Sequence, residues 1–397
     1  MKVVIAPDSF KESLSALEVA NAVEEGFREV FPDAEYVKLP MADGGEGLVH
    51  SLVNAMEGQV VNHTVTGPLG EKVEGFFGLI HDGKTAVIEM AAASGLHLLS
   101  PEKRNPLQTT TFGVGELLLA ALEYNVETII LGLGGSSTND GGAGMVQALG
   151  GRLFDVNGCD IGFGGGALAD LHSINLEGFE VRLNEIRFEV ACDVENPLLG
   201  ETGASAVFGP QKGATPEMVS VLDHNLCHFA RIIERDLSKD VSEIPGAGAA
   251  GGLGAGLLAF LPCQLRKGIQ IVMEATGLDD HIQDASLVIT GEGKIDSQTI
   301  YGKTPIGVAA AAQKHNVHVI ALAGTLGEGY EAVYQHGINT VFSIVPGIST
   351  LEEALKNAQQ NIVSTSRNIA SLLNAVPNAV PVTTRGQCTP QADSSIH

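Results

Sequence analysis

Basic residues are scarce in this chain. It has 23 Lys and Arg against 47 Asp and Glu over 397 residues, a formal net charge of -24 at pH 7. Nucleic acids and anionic membrane surfaces are bound through basic patches, so this balance argues against both as partners. Cysteine is also sparse. Its five cysteines, Cys159, Cys192, Cys227, Cys263 and Cys388, are scattered and odd in number, with no CxxC. That spacing argues against a disulfide framework or a zinc ribbon. No run approaches the roughly 18–20 apolar residues of a membrane span. The apolar run within MKVVIAPDSFKES is too short for a secretory leader. The expectation is a soluble cytoplasmic protein in a reducing compartment. Hydrophobic residues make up 44% of the chain, enough for a sizeable core, and the length suits two or three domains.

The chain opens with a βα pattern. KVVIA (Lys2–Ala6) reads as a buried strand, PDSFKES as a loop, and the spacing of Leu17, Ala20, Val23, Phe27 and Val30 as a helix. A second strand, Glu35–Leu39, is followed by the loop PMADGGEG (Pro40–Gly47) and a further helix. From Gly67 the chain alternates in β fashion, turns at Asp82–Gly83 and continues as TAVIEM, which predicts a hairpin. The opening pattern returns at SLVI (Ser286–Ile289), VHVIALA (Val317–Ala323) and NTVFSIV (Asn339–Val345). Two βα units at the start and three at the end suit a flavodoxin-like, doubly wound parallel sheet. The expected organisation is therefore a discontinuous flavodoxin-like domain, 1–66 plus 286–376, interrupted by an inserted α/β domain, 67–285. The remainder, 377–397, lacks periodicity and is expected to be disordered.

Open parallel sheets bind ligands beyond the carboxyl ends of their strands. The loops at those ends are PDSFKES, MADGGEG, TGEGKIDS and AGTLGEG. They carry Lys11 and Lys294 among the acids Asp8, Asp43, Glu46, Glu292 and Asp296. In the middle of the chain GLGGSSTNDGGAGM (Gly132–Met145) follows the strand-like VETIIL. Its glycines allow close approach of a ligand, and its polar run Ser136–Asp140 offers hydroxyls, an amide and a carboxylate. The same residues could equally cap a helix. Lys11, Arg104, Lys212, Lys294 and Lys303 all fall in Gly/Ser/Thr/Asp-rich loops, which suggests a small anionic ligand. Arg104 could grip a carboxylate with two parallel hydrogen bonds.

Three pattern matches are rejected as sites. GLIHDGKT (Gly78–Thr85) fits the P-loop expression, but a strand-like TAVIEM follows where a helix is required. GAGAAG (Gly246–Gly251) fits GxGxxG without a preceding strand. His224 and His228 have zinc-like spacing but no HExxH glutamate, and are read as a surface pair.

Nine motifs in order carry a wider resemblance: APDSFKESLSA, PMADGGEG, GPLGEKV, EMAAASGL, GLGGSSTNDGGAGM, ACDVENPL, FGPQKGA, PGAGAAGGLGAG and TGEGKIDSQT. Together they resemble the bacterial type-1 glycerate kinases over about residues 1–373. The resemblance implies ATP-dependent phosphorylation of D-glycerate with Mg²⁺, with 2-phosphoglycerate as the expected product. It also implies a flavodoxin-like domain with an α/β insertion and no Walker A loop. Phosphoryl transfer depends on positioning and charge neutralisation. On this reading ATP lies over the Gly-rich loops at Asp8, Ser9, Lys11, Gly44, Gly45, Lys212, Gly291, Glu292 and Lys294. Lys11 and Lys294 would neutralise phosphate oxygens, and Mg²⁺ would be held among Asp43, Asp193 and Asp296. Glycerate would occupy a cleft between domains that closes during turnover, near Arg104, Ser136, Ser137, Asn139 and Asp140. Asp193 is the first expected proton acceptor and Asp296 the second. Three alternatives stay open: transfer to the 3-hydroxyl, a non-catalytic sensor of a small hydroxy-acid or nucleotide, and a nicotinamide-dependent dehydrogenase using GAGAAG. Monomer and homodimer are both compatible with the sequence.

Overall fold

The computed structural model describes residues 1–42, 45 and 47–375. Strand β1 (Lys2–Ile5) leads through a polar loop into helix α1 (Ala16–Arg28), and β2 (Glu35–Lys38) into α2 (Leu48–Ala55). Helix α1 starts at a reciprocal cap. The Ser15 hydroxyl accepts the Glu18 N–H at 3.3 Å, and the Glu18 carboxylate accepts the Ser15 N–H at 2.8 Å. Strands β3 (Gln59–Thr66), β4 (Lys72–Ile80) and β5 (Thr85–Glu89) then form an antiparallel meander. Helices α3 (Ala91–Ser94) and α4 (Phe112–Leu122), strand β6 (Thr128–Gly132) and helix α5 (Ala143–Ala148) follow. β7 (Arg152–Phe154) and β8 (Ser173–Asn175) pair with each other alone. Next come β9 (Arg187–Ala191), α6 (Ala204–Phe208), the long α7 (Pro216–Leu237), α8 (Ala249–Phe260) and β10 (Cys263–Arg266). Helices α9 (Gly268–Ala275) and α10 (Leu278–Ile282) return the chain to β11 (Leu287–Ile295), α11 (Thr304–Lys314), β12 (Val319–Leu326) and β13 (Thr340–Ser343). α12 (Leu351–Lys356) and α13 (Ala358–Ala375) follow.

Two large sheets result. The first runs β13-β12-β11-β1-β2 and is parallel throughout. Renumbered along the chain this is the flavodoxin-type order 2-1-3-4-5. The second runs β10-β9-β6-β5-β4-β3, parallel from β10 to β5 and antiparallel beyond.

Strand residues divide by parity between cores. Val3 and Ile5 of β1, Leu287 and Ile289 of β11, and Ile320 and Leu322 of β12 pack with α1 and α13. Their neighbours Val4, Ala6, Val288 and Ala321 face the other way, as a period of two requires. There they share one core with Val87, Ile130 and Ala191 of the second sheet, and helices α2, α9, α10 and α11 fill the layer between. The opposite face of the second sheet packs Ile88, Leu131 and Val190 against α4, α7 and α8. Both sheets are thus buried on both faces, as parallel sheets require.

Two expectations change. Gln59–Thr66 was placed with the first unit, but it pairs with β4 from Gln59↔Leu79 to Thr66↔Lys72, so the change of sheet precedes Gly67. TGEGKI was read as loop, yet Thr290–Ile295 continues β11 and pairs with β12 as far as Ile295↔Leu326. Gly291 is the reason a loop reading misleads: a Cβ there would lie 2.3 Å from the Leu322 carbonyl oxygen, so glycine serves close strand packing. The tail, 377–397, lies outside the described residues. GLIHDGKT runs strand, turn, strand, with His81, Asp82 and Gly83 at φ 51°, 54° and 80°, so it is no P-loop. Among the described residues no helix is long and apolar enough to cross a membrane.

Candidate active site

Two cavities open at the carboxyl ends of the two sheets. The larger, about 1080 Å³, lies where the first sheet reverses its strand order, between β1 and β11. Asp8, Lys11, Glu292, Lys294 and Lys303 form a charged side, and Ile344, Val345, Pro346, Ile348 and Leu351 an apolar side. The Asp8 carboxylate accepts the Ser9 N–H at 2.6 Å and the Thr304 hydroxyl at 2.8 Å. The Asp8 N–H in turn donates to the Gly291 carbonyl at 2.8 Å, which is how Gly291 contributes. Glu292 accepts the Thr299 hydroxyl at 2.5 Å and pairs with Lys303 at 3.2 Å. Burial raises its pKa despite those partners.

The smaller cavity, about 260 Å³, is lined by Leu133–Ser136 after β6, Ala191–Val194 after β9, Gln211, Lys212, Ala249, Ala250 and Gly45. Lys212 is buried, 2% exposed, and its ammonium donates to the Ser136 hydroxyl at 2.7 Å and the Thr138 carbonyl at 2.6 Å. Burial pushes its pKa down to about 7, against a raising effect of Asp140. Asp193 is exposed to this cavity and accepts the Gly268 N–H at 3.0 Å, the start of α9. The neighbouring Cys192 thiol is pushed up to about 11 by burial. Ala250, Gly251 and Gly252 take left-handed backbone at φ 52°, 68° and 87° inside α8. A Cβ at Gly251 would meet the Thr138 carbonyl oxygen at 1.9 Å, so only glycine lets α8 pack under the Ser136–Asp140 loop. GAGAAG therefore serves this packing, and it follows α7 rather than a strand.

Described residues between β2 and α2 lie beside both cavities. The Met41 N–H donates to the Pro7 carbonyl at 2.9 Å, beside Asp8 of the large cavity, and Gly45 reaches the small one.

The structure redistributes the expected site residues. Lys212 lines the small cavity, not the large one with Lys11 and Lys294. Asp193 lines the small cavity, and Asp296 lines neither. The Asp296 carboxylate is paired with Lys294 at 2.8 Å and accepts the Gln298 N–H at 2.9 Å, which hold its pKa down. Asp43 and Gly44 lie outside the described residues. Among the described residues no three His, Cys, Asp or Glu gather as a metal cluster. Of the polar run only Ser136 lines the cavity. Ser137 donates both its N–H and its hydroxyl to the Ser94 carbonyl, each at 2.9 Å. The Asn139 amide donates to Ser205 at 3.0 Å. Asp140 is fully buried and accepts the Thr111 N–H and hydroxyl and the Gly142 and Gly144 N–H groups, so it organises the loop from beneath. Burial nonetheless raises its pKa. Arg104 is half-buried behind the cavity wall, its guanidinium 3.5 Å from the Gln211 carbonyl oxygen. Of the rejected histidines, His228 lies 2.6 Å from the Leu171 carbonyl oxygen. The sequence reading missed the apolar arc Ile344–Leu351, which shows only as an unremarked VPGIST after a strand.

The profile of the glycerate kinase family matches residues 3–374. The chain belongs to the glycerate kinase family. It is 60% identical to a glycerate kinase of Bacillus subtilis, over 94% of this chain and 97% of that one. It is 58% identical to a glycerate 2-kinase of Escherichia coli, over 94% and 98%. A crystal structure from Salmonella typhimurium LT2, described as a glycerate kinase 2, superposes with a TM-score of 0.87 at 58% identity, covering 94% of this chain and 98% of that one. Family membership gives the chain its reaction class, phosphoryl transfer to glycerate.

Proposed function

We propose that the chain is an ATP-dependent kinase that phosphorylates D-glycerate at its 2-hydroxyl, releasing 2-phosphoglycerate and ADP. The observation that carries this reading is the pairing of a nucleotide-sized cavity with a small polar one, at the carboxyl ends of the two sheets, in a member of this family. ATP takes the large cavity, its phosphates toward Lys11, Lys294 and Lys303 and its base on the apolar arc around Pro346 and Ile348. Phosphates facing Asp8 and Glu292 call for a divalent cation. Mg²⁺ is bound through one or two carboxylates plus substrate phosphates. The all-oxygen set of Asp8 and Glu292, each steadied by a threonine hydroxyl, fits it. When bound, Mg²⁺ neutralises phosphate charge. Titrating ATP into the protein with Mg²⁺ and with EDTA, for the parent and Asp8→Asn, checks this. Equal Mg²⁺ enhancement in both would move the ion elsewhere.

Glycerate takes the small cavity. Its carboxylate sits on Lys212 and the Ser136 hydroxyl, and Asp193 accepts the proton of the attacking hydroxyl. The Gly268 N–H holds the Asp193 carboxylate in place for that role. The apolar core shared by the two sheets opposes rigid-body opening, so movement on substrate binding falls to the loops. Among the described residues Cys159, Cys192, Cys227 and Cys263 are free thiols, which fits a reducing compartment such as the cytoplasm.

Phosphorus NMR of the protein with ATP, Mg²⁺ and D-glycerate tests the function. A 2-phosphoglycerate resonance is expected. A 3-phosphoglycerate resonance would overturn the regiochemistry, and no transfer by folded protein would overturn the kinase reading.

A further inference from the structure

Glu89 ends β5, a strand whose five residues are all buried, and is itself only 6% exposed. A buried carboxylate is costly unless it is well hydrogen-bonded. It accepts the Val49 N–H at 2.8 Å and the Gly47 N–H at 3.3 Å. These donors open α2, whose N-cap is Gly47 at φ 90° with no side-chain cap of its own. A carboxylate from the second sheet thus caps a helix that follows β2 of the first. Packing alone could hold α2, since Leu48, Val49, Leu52 and Val53 are buried in the shared core. An apolar residue at the same site would avoid the desolvation cost. The carboxylate instead fixes the first turn of α2. Gly45, just upstream, lines the small cavity with Gly134, Ser136 and Asp193. Glu89 also pairs in register with Gly132, after which Leu133–Ser136 form the cavity floor.

We propose that Glu89 is a positioning residue of the transfer reaction: it holds Gly47 at the start of α2, and so sets Gly45, two residues upstream, against the floor of the acceptor cavity. The inference rests on reading the small cavity as the glycerate site. Displacing a reactant by about 1 Å can cost about a hundredfold in rate. Glu89→Gln keeps the shape but turns one acceptor into a donor facing an N–H. It is expected to lower kcat/KM for glycerate about a hundredfold with KM for ATP within about twofold of the parent. Glu89→Asp retains the charge and is expected to recover part of the loss. Hydrogen exchange over residues 40–49 gives a readout independent of activity, and faster exchange is expected in Glu89→Gln. Two results would overturn the proposal. One is a Glu89→Gln protein that melts lower yet keeps parental kinetics per folded molecule. The other is unchanged exchange over that segment. A parent without kinase activity would instead fail the functional reading, and the exchange experiment would still decide the role of Glu89.

Discussion

Replacing Lys212 with methionine tests the acceptor cavity most directly. Methionine preserves the apolar stem and removes only the ammonium that donates to Ser136 and Thr138. A hydrogen bond to a charged group contributes about 1.5–3 kcal/mol. If Lys212 holds the glycerate carboxylate, kcat/KM for glycerate should fall by about tenfold to about a hundredfold, while KM for ATP stays near the parent's. A second signature follows from burial, which pushes the Lys212 pKa down to about 7. In the free protein the charged form is present below that pH and is lost above it. The parent's kcat/KM for glycerate should therefore decline as pH rises past about 7, and Lys212→Met should lack that limb. Stability carries the same group with a defined sign. Unfolded, Lys212 keeps its proton up to its ordinary value of 10.5; folded, it releases it at about 7. Between those values the unfolded state binds more protons, so the parent's stability gains from this group as pH rises, and the variant's does not. The assay is ADP release across pH 5.5–9, with melting followed at the same pH values. An unchanged KM for glycerate together with a retained alkaline limb would place the carboxylate anchor elsewhere. A rise confined to KM for ATP would return Lys212 to the nucleotide.

Asp193→Asn should lower kcat by about 10²- to 10⁴-fold with modest change in either KM; single-turnover transfer at parental rate would exclude it as the proton acceptor. Asp140→Asn should destabilise the fold by about 2–4 kcal/mol, because an amide cannot accept the bonds from Thr111, Gly142 and Gly144 together. Its denaturant midpoint measures this, and a parental midpoint would refute the loop-organising role. Ala250→Gly should stabilise by about 1 kcal/mol, since Ala250 holds left-handed backbone at φ 52°; a lower melting temperature would contradict that account.

The strand-and-helix alternation made the doubly wound sheet legible, because β1 and the first halves of β11 and β12 are short runs rich in branched apolar residues. Which sheet an edge strand joins was not legible at Gln59–Thr66. That segment is mostly exposed, and its partner is fixed by the turn that follows it. Loop chemistry marked Asp8, Lys11, Glu292 and Lys294 correctly as neighbours on one rim. It could not separate Lys212 from them, because both loop sets have the same composition and only topology assigns them to different sheet ends. Ser137 and Asp140 show a related limit. A polar side chain whose hydrogen bonds are met within the protein looks, in sequence, like one aimed at a ligand. Glu89 did leave a trace, as a charged residue closing an otherwise apolar strand.

The pairing of β1 with β11 sets an order of events during synthesis. Val3 meets Leu287, and Ile5 meets Ile289, so β1 waits for its second neighbour, the central strand β11, until most of the chain has emerged. The second sheet needs only β3 to β10, a continuous stretch, and can close first. Long-range parallel pairings form late because loop-closure entropy precedes any gain. On this order the inserted sheet is the template, and the large cavity between β1 and β11 is assembled on it last, with α2, α9 and α10 already made. A ribosome-stalled chain ending after β10 should hold the acceptor half alone, a shape able to fold before the protein can bind its phosphoryl donor.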